Sequence, residues 1–191
     1  MDNNFKLYSN IFHLSEFHFD KFFPLLKTRL IEKSGYFLRQ GDRCQYFAFV
    51  KSGTLRSFHI NDKGADISYN FHFSGQPFTE YESLLSNKEC TLNIQAVEDS
   101  ELFLLHKDDL KNLYSVDSYW LSYGREMKEM LYLESRKRIE DLLYFDPETR
   151  YTNLLKKSPH IFRFIPQKYI ASYLGITPQS LSRIRKRISK S

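Results

Sequence analysis

The sequence predicts an α+β protein: an N-terminal β jelly roll, a long connecting helix, and a C-terminal helix-turn-helix of winged-helix-like type. Three observations carry this reading. Short strand-like runs punctuated by turn residues fill Ser34 to His106, the pattern of a sandwich or barrel. After Asp108 the apolar period switches to alternating steps of three and four, which marks one stripe of a helix. Basic charge then collects at the end of the chain: Arg150 to Ser191 holds ten Lys or Arg and no Asp or Glu. That leaves eighteen basic and twenty-three acidic residues on the first 149, a mildly acidic body joined to a polyanion-seeking tail.

In chain order, two short apolar clusters, Ile11–Leu14 and Phe22–Leu26, predict helical turns before the sheet. The strands expected are Gln45–Lys51, Thr54–Ile60, Asp66–Phe73, Thr91–Val97 and Ser100–His106, divided by Gly41-Asp42, Ser52-Gly53, Asn61-Asp62-Lys63-Gly64 and Ser74-Gly75-Gln76-Pro77. The seventeen Phe and thirteen Tyr favour such pleated, half-buried surfaces. The stripe Val116, Trp120, Tyr123, Met127, Met130 then predicts one helix running to about Phe145, with Gly124 as its weak point. A rod of about 45 Å exceeds what a small β domain covers, so Trp120, Tyr123, Met127 and Met130 are read as the seam of a homodimer. Asp146-Pro147 begins a helix reaching Lys157, and Ile161–Ile165 reads as a short strand. The domain boundaries expected are 1–112 for the roll, 113–145 for the dimer helix and 146–191 for the tail domain.

The tail carries the chemistry. One helix aligns Ile170, Ala171 and Leu174; Gly175 supplies a left-handed turn; Thr177-Pro178 caps a second helix that aligns Leu181, Ile184 and Ile188. Two such faces closing at a steep angle make a helix-turn-helix. The far side of the second helix presents Gln179, Ser182 and Arg183, the expected readers of base edges, since Arg matches guanine and Gln adenine with paired hydrogen bonds. Lys168, Thr177, Arg185, Lys186, Arg187 and Lys190 are expected on phosphates, giving affinity rather than sequence choice.

A sandwich, a long helix and this motif, in that order, resemble the Crp/Fnr family of transcription regulators over nearly the whole chain. Gly41-Asp42 followed by Phe49-Val50-Lys51-Ser52-Gly53-Thr54-Leu55-Arg56 is similar to the family's early roll signature, and Ile170-Ala171 through Leu181-Ser182-Arg183-Ile184 to its DNA-reading motif. The resemblance implies a cyclic-nucleotide-binding-like roll, a homodimer, and double-stranded promoter DNA and RNA polymerase as partners; two cysteines, Cys44 and Cys90, fit reduced thiols in the cytoplasm. A small effector, if there is one, would meet Glu80, Cys90 and Thr91. Two departures argue against cyclic AMP. Phe78-Thr79-Glu80 stands in place of Phe-Gly-Glu, and Cys90-Thr91 in place of the Arg-Ser/Thr that grips a cyclic phosphate; a buried phosphate would lack its charge partner.

Other classes find little support. Two cysteines cannot hold a Cys-only cluster, no His-X-His pair suggests a cupin-type metal enzyme, and no metal or cofactor is expected. The N-terminus lacks the pattern of a secretory signal, and no apolar run spans a membrane. The alternatives are an effector-binding module with degenerate DNA binding and, last in order, a cupin-like metal-dependent enzyme.

Overall fold

The computed structural model describes residues 3–189, which divide into two compact units. One unit combines Met1–Ser57 with Phe71–Met127; the other combines Phe58–Asn70 with Lys128–Ser191.

The first unit is built on a roll of two four-stranded sheets. With β1 Lys27–Ile31, β2 Tyr36–Leu38, β3 Tyr46–Ser52, β4 Thr54–Ile60, β5 Asp66–Phe73, β6 Pro77–Phe78, β7 Asn93–Ala96 and β8 Ser100–His106, the sheet orders are β1-β8-β3-β6 and β2-β7-β4-β5. Strand β3 pairs antiparallel to β8 with Phe49 opposite Phe103. Both strands are buried for most of their length, which explains why their apolar residues run continuously instead of alternating. The second face of this sheet is covered by two short helices, α1 Asn3–Phe12 and α2 Glu16–Phe22. Phe12 sits with its ring centroid 4.9 Å from Phe49 and 5.5 Å from Phe103, and edge-on to Phe22 at 5.4 Å. Edge-to-face pairs of this kind add about 0.5–1.5 kcal/mol each beyond the area they bury. A short helix, α3 Tyr81–Ser86, follows β6.

The long helix is two helices. α4 spans Lys107–Val116 and α5 spans Ser118–Tyr144. The break falls at Asp117, whose backbone is extended (φ −157°) and whose carboxylate accepts the Tyr119 N–H at 2.7 Å. A side-chain acceptor there starts a new helix instead of continuing the old one. The stripe read as a dimer seam is corrected by the same region. Trp120 and Tyr123 are buried inside the first unit: Trp120 stacks on Phe22 at 5.8 Å, and the Tyr123 hydroxyl donates to the Phe12 carbonyl at 2.9 Å. Met127 and Met130 are half-buried. Aromatic residues at helical spacing satisfy a protein's own core as readily as a partner's.

Gly124, a weak point by propensity, has a packing reason. A Cβ there would lie 2.2 Å from the Tyr114 hydroxyl and 2.6 Å from two of its ring carbons, so the missing side chain lets α4 and α5 close on one another.

In the second unit the C-terminal half of α5 is followed by α6 Pro147–Lys157, α7 Ile161–Phe164, α8 Gln167–Tyr173 and α9 Pro178–Ile188. Asp146 caps α6 by accepting the Thr149 N–H at 2.8 Å, and Lys157 reaches Glu134 of α5 at 3.0 Å. The strand expected at Ile161–Ile165 is instead the short helix α7. Ile161 and Ile165 are both buried, the Ile165 N–H bonds the Ile161 carbonyl at 2.9 Å, and a spacing of four suits one face of a helix where no neighbouring strand offers a ladder. Among the described residues none after His106 lies in a strand, and no helix is long and apolar enough to cross a membrane.

Gly124→Ala is expected to lower stability by about 1–3 kcal/mol through overpacking, outweighing the helix propensity gained. Thermal denaturation checks it, and adding Tyr114→Ala to the variant should cost less than the same change made in the wild-type chain.

Candidate nucleic-acid interface

The interface is assembled around a single turn. At the end of α8 the Gly175 N–H bonds the Ser172 carbonyl at 3.0 Å and the Ile176 N–H bonds the Ala171 carbonyl at 3.0 Å, the paired closure of a Schellman motif. Gly175 has φ +67°, a conformation that costs a residue bearing Cβ about 1–2 kcal/mol. The chain reverses there, and Thr177 opens α9 by accepting the Ser180 N–H at 3.2 Å, with Pro178 as the first helical residue. The two helices then close through Ile170, Ala171, Leu174, Leu181 and Ile184, all buried. Ala171, fully buried, is small enough for the helices to cross closely.

At about 100° per residue, the side of α9 opposite Leu181 and Ile184 carries Gln179, Arg183 and Lys186, with Ser182 at its flank. All four are exposed, and none bonds another described side chain. Lys168 on α8 and Thr177 at the turn are exposed as well.

Two expected phosphate contacts are engaged elsewhere. Arg185 sits about 70° from the buried axis of α9, close enough to be drawn inward: its guanidinium lies 4.2 Å from the Phe162 ring and donates to Gln167 Oε1 at 3.4 Å. Arg187 pairs with Glu148 of α6. Lys190 lies outside the described residues.

Functional residues that the sequence did not single out lie behind the turn. Arg138 of α5 donates to the Tyr173 carbonyl and lies 3.8 Å from the Tyr173 ring. Arg150 of α6 donates from Nε to the Leu174 carbonyl at 3.0 Å and from Nη1 to the Phe145 carbonyl at 2.8 Å. The Ser172 hydroxyl donates to the Asp66 carbonyl at 3.0 Å and accepts the Ser68 N–H at 2.9 Å, so the β4–β5 hairpin tip is clipped to α8 within this unit. In the sequence these were ordinary surface polar residues, because nothing local marks a side chain whose partner is a distant backbone carbonyl.

In the roll, Glu80 and Cys90 are brought near one another and buried, while Thr91 stays exposed. Glu80 is turned to cap α3, accepting the Ser83 N–H at 2.7 Å. Burial, reinforced by the Glu80 carboxylate, pushes the Cys90 thiol above its ordinary pKa, and its Sγ donates to the Arg39 carbonyl at 3.0 Å. A protonated, buried thiol is a poor nucleophile. Inside the roll Phe78 packs edge-on to Phe37 at 5.1 Å and stacks on His72 at 4.7 Å, and His72 shares a 2.7 Å hydrogen bond with Ser57. No group of three or more His, Cys, Asp or Glu placed to hold a metal occurs among the described residues.

The chain thus joins a β roll to helices that end in a helix-turn-helix; the family model for the cyclic nucleotide-binding domain matches residues 28–117. The fumarate and nitrate reduction regulatory protein of Vibrio cholerae serotype O1 is 25% identical over 193 residues, covering 94% of this chain and 76% of that protein, and its counterpart from Yersinia pestis matches to the same extent. Among solved structures the fold is similar to FixK2 from Bradyrhizobium japonicum (TM-score 0.76, 18% identity, 86% of this chain and 85% of that one). It is also similar to a CooA mutant from Carboxydothermus hydrogenoformans (TM-score 0.69, 16% identity, 95% and 83%). The chain is thus similar in sequence to fumarate and nitrate reduction regulatory proteins over most of its length and carries a cyclic nucleotide-binding domain at residues 28–117.

Gly175→Ala is expected to destabilise the second unit by about 1–2 kcal/mol and to weaken DNA binding in the same preparation. Denaturant unfolding and a gel shift, run side by side, test both effects.

Proposed function

We propose that the chain is a cytoplasmic homodimer that reads promoter DNA with α9, with 1–112 as sensor domain, 113–145 as dimer segment and 146–191 as DNA-binding domain. One observation carries the reading: the side of α9 opposite its buried residues is solvent-exposed, polar and basic, and no described side chain bonds it. Arg183 and Gln179, with Ser182 beside them, contact base edges in the major groove. Lys168, Thr177 and Lys186 contact phosphates. Arg185 and Arg187, already engaged by Gln167, Phe162 and Glu148, act mainly within the domain, and Lys190 adds a phosphate contact.

The dimer seam is read from exposure on α5. Leu121, Tyr132, Ile139 and Leu143 are large, apolar and more than half exposed, and the last three recur at spacings of seven and four, which keeps them on one side of the helix. A second copy of the same helix, packed across a two-fold axis, is the occupant that such a repeating apolar side suits. The effector, if one acts, is not cyclic AMP: Glu80 is committed to capping α3, and Phe37, His72 and Phe78 pack against each other inside the roll. RNA polymerase is the protein partner of the bound regulator.

Sites recovered by selection from a random duplex library test the reading. Arg183→Ala is expected to cost about 1–3 kcal/mol at one base position and relax preference there. Lys186→Ala should weaken all duplexes alike and reduce the salt slope by about one unit. Ile139→Asp with Leu143→Asp should convert the protein to a monomer in sedimentation while leaving its far-ultraviolet circular dichroism unchanged.

A further inference from the structure

We infer that Arg138 and Arg150 are positioning residues that set which spacing between two DNA half-sites the protein accepts. The inference rests on the reading above, in which α5 forms the dimer seam and α9 reads bases. It starts from what the last turn of a helix lacks. Its final carbonyls have no N–H partner and carry the negative end of the helix dipole. At the end of α8, the Tyr173 and Leu174 carbonyls are taken by Arg138 and Arg150. At the end of α5, the Phe145 carbonyl is taken by the same Arg150 guanidinium. One planar cation thus joins the terminus of the long helix to the terminus of the first reading helix. A Gly175 Cβ would lie 3.6 Å from Leu142 Cδ2 and 3.9 Å from Arg150 Nη2, so the turn itself seats against Leu142 and the same Arg150 guanidinium.

This arrangement leaves the reading head little freedom to swivel on α5. Arg138 projects about 120° round the helix from the Tyr132–Ile139–Leu143 side. The helix therefore carries its partner on one side and its reading head on another, and the two arginines fix the angle between them. In a symmetric dimer that angle determines how far apart, and how rotated, the two copies of α9 are. Duplex DNA translates this geometry into spacing, since the half-sites must lie about one helical turn apart and each added base pair turns the second by about 34°. Lysine cannot substitute for Arg150, because an ammonium lacks the fixed fork that spans two carbonyls.

The test uses the full-length protein and duplexes carrying two copies of the half-site selected by the wild-type chain, with the spacer lengthened or shortened by one and two base pairs. A duplex with a single half-site is the control. Wild type should lose about tenfold or more in affinity when the spacer changes by two base pairs, the scale of a lost base contact. R138Q and R150Q should bind the single half-site within about twofold of wild type, yet lose less than about threefold across the spacer series, a flatter profile than one lost base contact would give. R150K, which keeps the charge and loses the fork, should flatten the profile without changing the salt dependence, and it serves where a glutamine variant fails to fold. A spacer profile as sharp as wild type in R150Q or R150K overturns the inference. So does loss of single half-site binding in a variant that still melts cooperatively, because the arginines would then be shaping the head itself. Wild-type protein that selects no half-site fails the DNA-reading proposal instead, and Arg183→Ala, which removes base preference but keeps the spacer profile, separates the two.

Discussion

The second unit depends on one backbone conformation, the left-handed Gly175. Only there does the chain reverse tightly enough for Ile170, Ala171 and Leu174 to meet Leu181 and Ile184. That contact in turn commits one side of α9 to the interior and leaves Gln179, Arg183 and Lys186 on the other. The exposure of the basic side is therefore a consequence of where the apolar residues go. A stretch rich in like charges repels itself, and burying the greasy side of each short helix is what holds Arg183, Arg185, Lys186 and Arg187 on one turn and a half of helix.

The same turn shows how cations are divided between structure and function. Helix ends need positive partners, and a chain segment with no acidic residue between Arg150 and Ser191 has cations to spare. Arg150 and Arg138 serve carbonyls at the ends of α5 and α8, while Arg187 finds Glu148 on α6. The residues left without such partners are those whose angle on α9 points away from the core. The distinction between a cation that builds the domain and one that meets DNA is thus an angular one, about 70° from the buried axis for Arg185 and about 130° for Arg183.

In the first unit, aromatic packing does the comparable work. Phe12, Phe22, Phe49, Phe103 and Trp120 converge on one face of the β1-β8-β3-β6 sheet, which makes the N-terminal helices and the start of α5 part of one core. Inside the roll Phe37, His72 and Phe78 pack against each other, and Glu80 satisfies the first turn of α3 from within the chain. A negatively charged ligand would compete with that carboxylate for the same donor, a replacement with little to gain where Cys90-Thr91 stands in place of an Arg-Ser/Thr pair.

Local chemistry by itself determined the strands Thr54–Ile60, Asp66–Phe73 and Ser100–His106, the helix from Pro147 to Lys157, the turn at Gly175 and the course of α9 from Pro178 to Ile188. Each of these is written in neighbouring residues: period, cap, proline, glycine. Tertiary structure decided what depends on partners far along the chain. Ile161–Ile165 is a short apolar run that fits a strand by composition, but it has no strand to pair with among the described residues, so it coils. Trp120 and Tyr123 form a stripe fit for a dimer, yet Phe12 and Phe22 occupy it first. Arg138 and Arg150 look like any surface arginine until two helix ends arrive beside them, because a backbone carbonyl left over at a terminus has no signature in the letters that precede it.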